Sequence, residues 1–282
     1  MNKRMIVNAD DFGLCDGVNA GIAEAHTKGV LTSATLMAGM DAAEKAVEIA
    51  RGLPGLGVGV HLTLTEGAPV STDPCVKPLL NSEGLLHLSP MKLALLSAAF
   101  PGVRNAVRTE LAAQIEWVLD HGIKPTHLDS HKHVHAFPTI FSIVSQLARK
   151  FGIPAIRRPL EPRAVSQNPW PVPSQGGANR ARTVRIMANI NKLQNSDFFG
   201  NDVLLGIAHT GKIDVNFFKA VSLFDSSKTV EVMTHPGYID GLDPDKTRLF
   251  KQREFELQAI CSEQTKQYLQ DANIKLVNYG QL

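Results

Sequence analysis

Apolar positions along the chain fall into short continuous runs that alternate with longer stretches of helical period, and this order predicts the elements. Residues 3–8 read as a buried strand that runs straight into Ala9-Asp10-Asp11-Phe12-Gly13. A helix follows, capped by Asp16 and stopped at Gly29. Residues 30–37 form a second strand. Asp41 then opens a helix, with Glu44 three residues on as in a capping box, ending near Gly52-Leu53-Pro54. Residues 57–64 alternate, with Val58, Val60, Leu62 and Leu64 on one face and Gly57, Gly59, His61 and Thr63 on the other. An amphipathic helix spans 103–121, and residues 124–135 begin as a strand. Pro138 suits the first turn of a helix ending near Gly152. Residues 155–158 make a short strand. Farther on, 183–194 and 216–224 read as helices, 230–234 as a strand, 248–270 as one long helix and 274–277 as a last strand.

Strand followed by helix, repeated, argues for a parallel sheet with helices outside it. The expectation is an α/β fold, a distorted (β/α) barrel forming a single domain over residues 1–282, with an open doubly wound sheet as the second choice. No repeat, charge block or domain boundary interrupts it. Two stretches, 69–90 and 160–179, are rich in turn formers and read as long loops that carry binding surface.

Composition narrows the class. Hydrophobic residues at 44% and charged residues at 20% support a sizeable core. A net charge of +2 leaves no electrostatic footprint for nucleic acid or an anionic membrane. There is no apolar run of about 18 residues to span a bilayer. Cys15, Cys75 and Cys261 are too dispersed for a disulfide framework or a thiolate zinc cluster. With charged residues arriving too early for a signal peptide, they point to a reducing cytoplasm. A homodimer is the default assembly.

The chemistry concentrates at strand ends. Asp10 and Asp11 close an apolar strand, and adjacent acids there repel unless a cation or proton intervenes. A turn cap accounts for one of them equally well. Strand neighbours point to opposite faces, so for both to serve one site the backbone must leave strand geometry, which Gly13 permits. His61 shares its face with two glycines, a sign of close approach by a ligand or backbone, although a hydrogen-bonded core histidine is the commoner case. Of the ten histidines, His127, His131, His133 and His135 fall within nine residues and, with Asp129, recur at a period of two. If extended, they project to one side and cannot sit unpaired in an apolar core. An exposed polar edge strand is the alternative to a metal site. Imidazole with carboxylate suits zinc, iron or manganese, and Asp129 is placed to hold the second nitrogen of a ligand histidine. His235 lies between a strand and the turn that Pro236-Gly237 forces, and by spacing alone is an ordinary loop histidine, as is His209. Arg157 and Arg158 either orient an acid or anion or form a surface pair. There is no phosphate-binding glycine loop, dinucleotide fingerprint or nucleophile elbow.

Four segments taken together resemble the YdjC-like carbohydrate deacetylases, which include chitooligosaccharide deacetylase. They are Val7-Asn8-Ala9-Asp10-Asp11-Phe12-Gly13-Leu14, Gly59-Val60-His61-Leu62-Thr63-Leu64, residues 126–135, and Glu231-Val232-Met233-Thr234-His235-Pro236-Gly237-Tyr238. The resemblance implies a distorted barrel holding one divalent metal ion, magnesium or zinc. By motif position it implies Asp11, His61 and His131 as ligands, Asp10 as general base and His235 as general acid. Lys132 stands where some relatives carry another histidine, which excludes a metal role for it. The implied reaction removes an N-acetyl group from a small sugar containing N-acetylglucosamine and releases acetate. Deacetylation of an N-acetylglucosaminyl lipid such as a hopanoid precursor is the alternative substrate. A metal-dependent phosphoesterase and a metal-bound sugar-binding protein without turnover are the rival classes. The resemblance assigns no role to His133, His135, Asp129, Arg157 or Arg158.

Overall fold

The computed structural model describes residues 3–166, 170–191, 197–223, 228–245 and 247–282. Its sheet is built around β1 (Lys3–Phe12), in the order β4 (Leu128–Ser130), β3 (Gly57–Leu62), β2 (Ser33–Leu36), β1, β6 (Thr229–Thr234), β5 (Val203–Leu205). All its ladders are parallel. The six strands curl into a half-barrel with helices around it, a mixed α/β domain. Residues 4–9 of β1 pair with β6 on one edge. On its other edge β7 (Ile274–Leu276) takes residues 3–5 and β2 takes residues 8–12, so β7 sits off the main order. Residues 155–160 reach one end of the sheet through an isolated pairing of Ile156 with Leu128 and the other through a single hydrogen bond from the Leu204 N–H to the Leu160 carbonyl, while Ala155 pairs with Phe199 outside the named strands. The strand predicted over 155–158 is therefore a bridge across an open barrel wall and not a ladder.

Helices α1 (Asp16–Lys28), α2 (Ala43–Arg51), α4 (Pro101–Asp120) and α5 (Pro138–Phe151) follow the predicted order. Cys15, not Asp16, is the residue before the first turn of α1, and Asp41 does not cap α2. Gly152 ends α5 at φ +66, a left-handed position that suits glycine. Three elements depart from expectation. Helix α3 (Pro90–Ala99), capped by Ser89, lies beyond the proline-rich stretch that read as loop. The short strand β5 was not predicted. The long helix over 248–270 is two helices, α8 (Gln252–Cys261) and α9 (Glu263–Asp271), because Ser262 is extended and its side chain accepts from the Gln264 N–H, starting a new helix. Helix α7 (Val215–Leu223) matches its prediction, and α6 (Gly177–Asn191) begins earlier than the helix expected from 183, inside the stretch that read as loop; of the two predictions residues 192–194 and 224 lie outside the described part. So does Pro169 of the loop over 160–179.

The main core lies between the sheet and the helices, where Val7, Val60, Leu205 and Val232 meet Ile22, Val47, Leu111, Val144 and Ile260. The central strands are buried on both faces, as parallel strands covered by helices must be. Parallel pairing also places every strand's C-terminal end on one rim, where sites form in such folds. No helix among the described residues is long and apolar enough to cross a membrane.

Candidate metal and catalytic site

Asp10 and Asp11 reach the rim with different geometry. Asp10 keeps an ordinary negative φ, whereas Asp11 has φ +67, and the β1–β2 pairing lapses at both between Ala9 and Phe12. The departure from strand geometry falls on Asp11 itself, with Gly13 (φ +97) completing the bend. A left-handed non-glycine residue is strained, and Asp is among those that tolerate it best. The bend turns Asp11 toward two imidazoles. Its Oδ1 lies 3.4 Å from His61 Nε2 and 3.1 Å from His131 Nδ1. One potential ligand atom from each of Asp11, His61 and His131 falls within 4.8 Å of the others. The remaining Asp11 oxygen accepts from Arg253 Nη2 at 2.6 Å, so Oδ1 alone is turned to the two imidazoles.

Each imidazole is held from behind. His61 Nδ1 donates to Asp129 Oδ1 at 2.8 Å, and Thr35 Oγ1 donates to Asp129 Oδ2 at 3.1 Å. Asp129 thus stands where the sequence suggested, on the second nitrogen of His61. His131 has its Nε2 3.1 Å from Glu66 Oε1. The expectation that His127 to His135 form one extended, one-sided array is overturned. β4 ends at Ser130, and a 3₁₀ turn over His131–Ala136 begins, with Lys132 at φ +54 and His133 at φ +53. His127 stacks on Tyr279 at 3.8 Å and fills the space that makes Gly59 obligatory, since a Cβ there would lie 2.5 Å from the ring. The glycines beside His61 therefore mark the approach of side chains from within the fold. His135 Nε2 donates to the Arg157 carbonyl at 3.1 Å, which leaves Nδ1 to accept from Ser130 Oγ in a short bond. His133 is buried beside His135 and makes no metal-site contact.

Behind the rim, Arg157 is 1% exposed and gathers three carboxylates. Its Nη1 and Nη2 donate to the two oxygens of Asp10 at 2.8 and 2.7 Å, Nη1 reaches Asp129 Oδ2 at 2.6 Å, and Nε donates to Glu231 Oε1 at 2.9 Å. Tyr279 Oη closes the network on Glu231 Oε2 at 2.6 Å. In a second group of possible ligands, Asp10, His61 and Asp129, the two carboxylates already hold this guanidinium, so the Asp11 group is the candidate cation site. Arg158 is not part of a surface pair with Arg157; its N–H donates to Asn201 Oδ1 and its Nη2 to the Phe198 carbonyl.

His235 leaves β6 directly after Thr234, which pairs with Ala9, and so emerges at the same rim beside Asp10. Its N–H donates to Glu256 Oε2 at 2.6 Å, and its Nδ1 lies 3.8 Å from that oxygen. Glu256 also accepts from the Gly211 N–H at 2.7 Å. The loop after His235 is clamped on α1, where Gly17 N–H donates to the Asp240 carbonyl and Tyr238 N–H to that of Gly17. His209 is the loop histidine expected, its Nε2 on the Pro171 carbonyl at 2.8 Å.

Electrostatics follow from this geometry. Burial raises the cost of charging Asp11, but Arg253, His131 and His61 outweigh it and hold the carboxyl well below its usual range. Asp10 is likewise lowered, burial being overcome by Arg157. His61 is pushed up to about 10: burial opposes protonation, and Asp129 and Asp11 outweigh it. His131 is raised against burial by Asp11 and Glu66. The ion-free cluster therefore compensates its carboxylates with protons, a place a cation can take. Sequence reasoning missed Glu66, Arg253 and Glu256. Arg253 and Glu256 lie in a polar-apolar helix like any other, and Glu66 had only its closeness to His61 to mark it.

Three comparisons bear on this arrangement. The family model for YdjC-like protein matches residues 4–271. A carbohydrate deacetylase of Brevibacillus brevis is 37% identical over 279 residues, covering 99% of each chain. A chitooligosaccharide deacetylase of Escherichia fergusonii is 34% identical over 287 residues, again covering 99% of each. A crystal structure from Enterococcus faecalis, described as that of a "putative cellobiose-phosphate cleavage protein", superposes with a TM-score of 0.78 at 28% identity, over 100% of this chain and 99% of that one. With matches that run nearly end to end in both sequence and fold, the chain belongs to the YdjC-like protein family.

Proposed function

We propose that this protein is a metal-dependent carbohydrate N-deacetylase that hydrolyses the acetamide of an N-acetylglucosamine-containing sugar of the chitooligosaccharide type. The observation that carries the reading is the convergence of Asp11 Oδ1, His61 Nε2 and His131 Nδ1 at the rim, with the Asp10 carboxylate beside them. Relatives named carbohydrate deacetylase and chitooligosaccharide deacetylase support the activity and substrate class.

One carboxylate oxygen and two imidazoles suit a divalent ion such as zinc or magnesium. The donor set passes a further test: the outward nitrogen of His61 is on Asp129, as ligand histidines require. Asp11, His61 and His131 would hold the ion, which supplies Lewis acidity toward the acyl oxygen and the attacking water. Arg157 orients Asp10 through both its oxygens and keeps it ionised, ready to accept a proton. As water adds to the acyl carbon, Asp10 takes its proton at a carboxylate oxygen. His235, whose Nδ1 is turned toward Glu256, delivers a proton from Nε2 to the leaving nitrogen as the carbon–nitrogen bond breaks. The products are acetate and a free amino sugar.

A coupled assay for acetate on di-N-acetylchitobiose, with added zinc or magnesium and with chelator, tests the reading. Acetate release that chelator abolishes is expected. Release of phosphate from sugar phosphates with no acetate from any N-acetyl sugar would move the protein to the phosphoesterases. Sugar binding without any product would make it a binding protein.

A further inference from the structure

The two imidazoles of the candidate cation site face it with different nitrogens. His61 presents Nε2 to Asp11 and has Nδ1 hydrogen-bonded to Asp129, whereas His131 presents Nδ1 and has Nε2 3.1 Å from Glu66 Oε1, an ion-pair contact without the alignment of a hydrogen bond. A ligand histidine bound through one nitrogen carries its proton on the other, and the group that accepts that proton sets the ring's tautomer and angle. For His61 the accepting group is buried and belongs to the neighbouring strand. For His131 the carboxylate within reach is Glu66, in the loop that follows β3, 39% exposed at its side chain. We propose that Glu66 is the positioning residue for His131, fixing Nε2 as the outward, proton-bearing nitrogen so that Nδ1 stays directed at the Asp11 oxygen. This rests on the metal-site reading above.

Three observations carry it beyond the single distance. The other Glu66 oxygen is tied to Lys132 Nζ at 2.7 Å, so the carboxylate is held at two points. Lys132 reaches it because residues 132 and 133 are both left-handed, which folds the chain back beside His131 at once after β4. Consecutive left-handed residues that are not glycine are uncommon and persist only where the surroundings demand them. Finally, the His131 ring lies between Glu66 and Asp11, since its two nitrogens contact one each. Glu66 is thus behind the ring and not a fourth ligand. Lys132, which the family pattern excludes as a ligand, acquires a role in this arrangement as the clamp on Glu66.

The test is zinc binding to the full chain, first stripped of metal, by calorimetry with a competing chelator. The variants are Glu66→Ala, Glu66→Gln and His131→Ala. Glu66→Ala is expected to weaken zinc about 10–100-fold. Glu66→Gln, whose amide oxygen still accepts, should recover most of that loss. In long-range proton–nitrogen NMR spectra of the zinc-loaded wild type, His131 should bind through Nδ1 and keep its proton on Nε2. Zinc affinity unchanged in Glu66→Ala while His131→Ala is weakened overturns the proposal alone. So does a rise in KM for the sugar with zinc affinity intact, which would make Glu66 a substrate contact. Equal zinc affinity in wild type and His131→Ala overturns the metal-site reading itself, and the proposal with it.

Discussion

Arg157 is the residue on which the polar interior depends, because one guanidinium is shared by three buried carboxylates, Asp10, Asp129 and Glu231. A guanidinium offers donors in a fixed planar fork, so it serves Asp10 with two bonds while Nη1 and Nε remain on Asp129 and Glu231. Glu231 shows how finely this is balanced: burial pushes it up to about 7 even with Arg157 and Tyr279 in contact. Removing one partner of a buried ion pair strands the others' charge, which costs about 3–5 kcal/mol. Arg157→Met should therefore lower the unfolding free energy by that order, read as a fall in the urea midpoint at unchanged slope, and Arg157→Lys should rescue little, since an ammonium cannot span the fork. A midpoint equal to wild type would mean the acids find other compensation. Asp10 makes the opposite prediction. It touches Arg157 but is absent from the proposed ligand set, so Asp10→Asn should keep zinc affinity within a few-fold while kcat falls about 10²–10⁴-fold. Loss of zinc and turnover together would place Asp10 among the ligands.

At the scale of elements, the site depends on how closely α1 approaches the loop that carries His235. A Cβ built on Gly21 would lie 2.4 Å from Gly237 Cα, a contact with backbone that cannot rotate away. In an exposed helix Gly→Ala would add about 1 kcal/mol of stability. Here Gly21→Ala should instead cost about 1–3 kcal/mol by overpacking and push Gly237, and with it His235, off its position. A displacement near 1 Å at a catalytic group can cost about 10²-fold, so kcat should fall with zinc affinity unchanged. Wild-type kcat in Gly21→Ala would show that the loop has slack. The same scale explains what was legible beforehand. Buried parallel strands read clearly as apolar runs, and Asp10, Asp11 and His61 were found because polar groups end or line such runs. The segment after Ser130 misled for a physical reason: alternation at a period of two is also what a tight left-handed turn can contain, and nothing local in Lys132-His133 forbids a strand. Arg253 and Glu256 were invisible because their roles come from the docking of α8 on α1, a tertiary fact with no local signature.

For the molecule as a whole, buried histidines oppose one another. His127 and His135 are held neutral, pushed down to about 3 and about 4 chiefly by burial. His61 is held protonated, at about 10 in the ion-free chain. As pH falls from 6.5 toward 3–4, the unfolded chain takes up protons that native His127 and His135 refuse, so stability is lost toward acid. As pH rises from 6.5 through 10, native His61 keeps a proton the unfolded chain has released, and the stability from that proton is lost toward alkali. The ion-free protein should thus melt highest near neutrality, with Tm lower by several degrees at about pH 4.5 and about pH 9.5. Zinc changes the alkaline side alone. A cation beside Asp11 Oδ1 needs the lone pair of His61 Nε2, so binding must displace the proton held there, and zinc affinity should rise with pH toward 10. Calorimetry at pH 7.5 in two buffers of different ionisation enthalpy measures the protons released per zinc. At least one is expected, together with a Tm gain from zinc that grows between pH 6.5 and 9. Zinc uptake with no proton release would mean that the ion sits elsewhere and that His61, tied to Asp129 behind and Asp11 in front, keeps its proton as a structural cation.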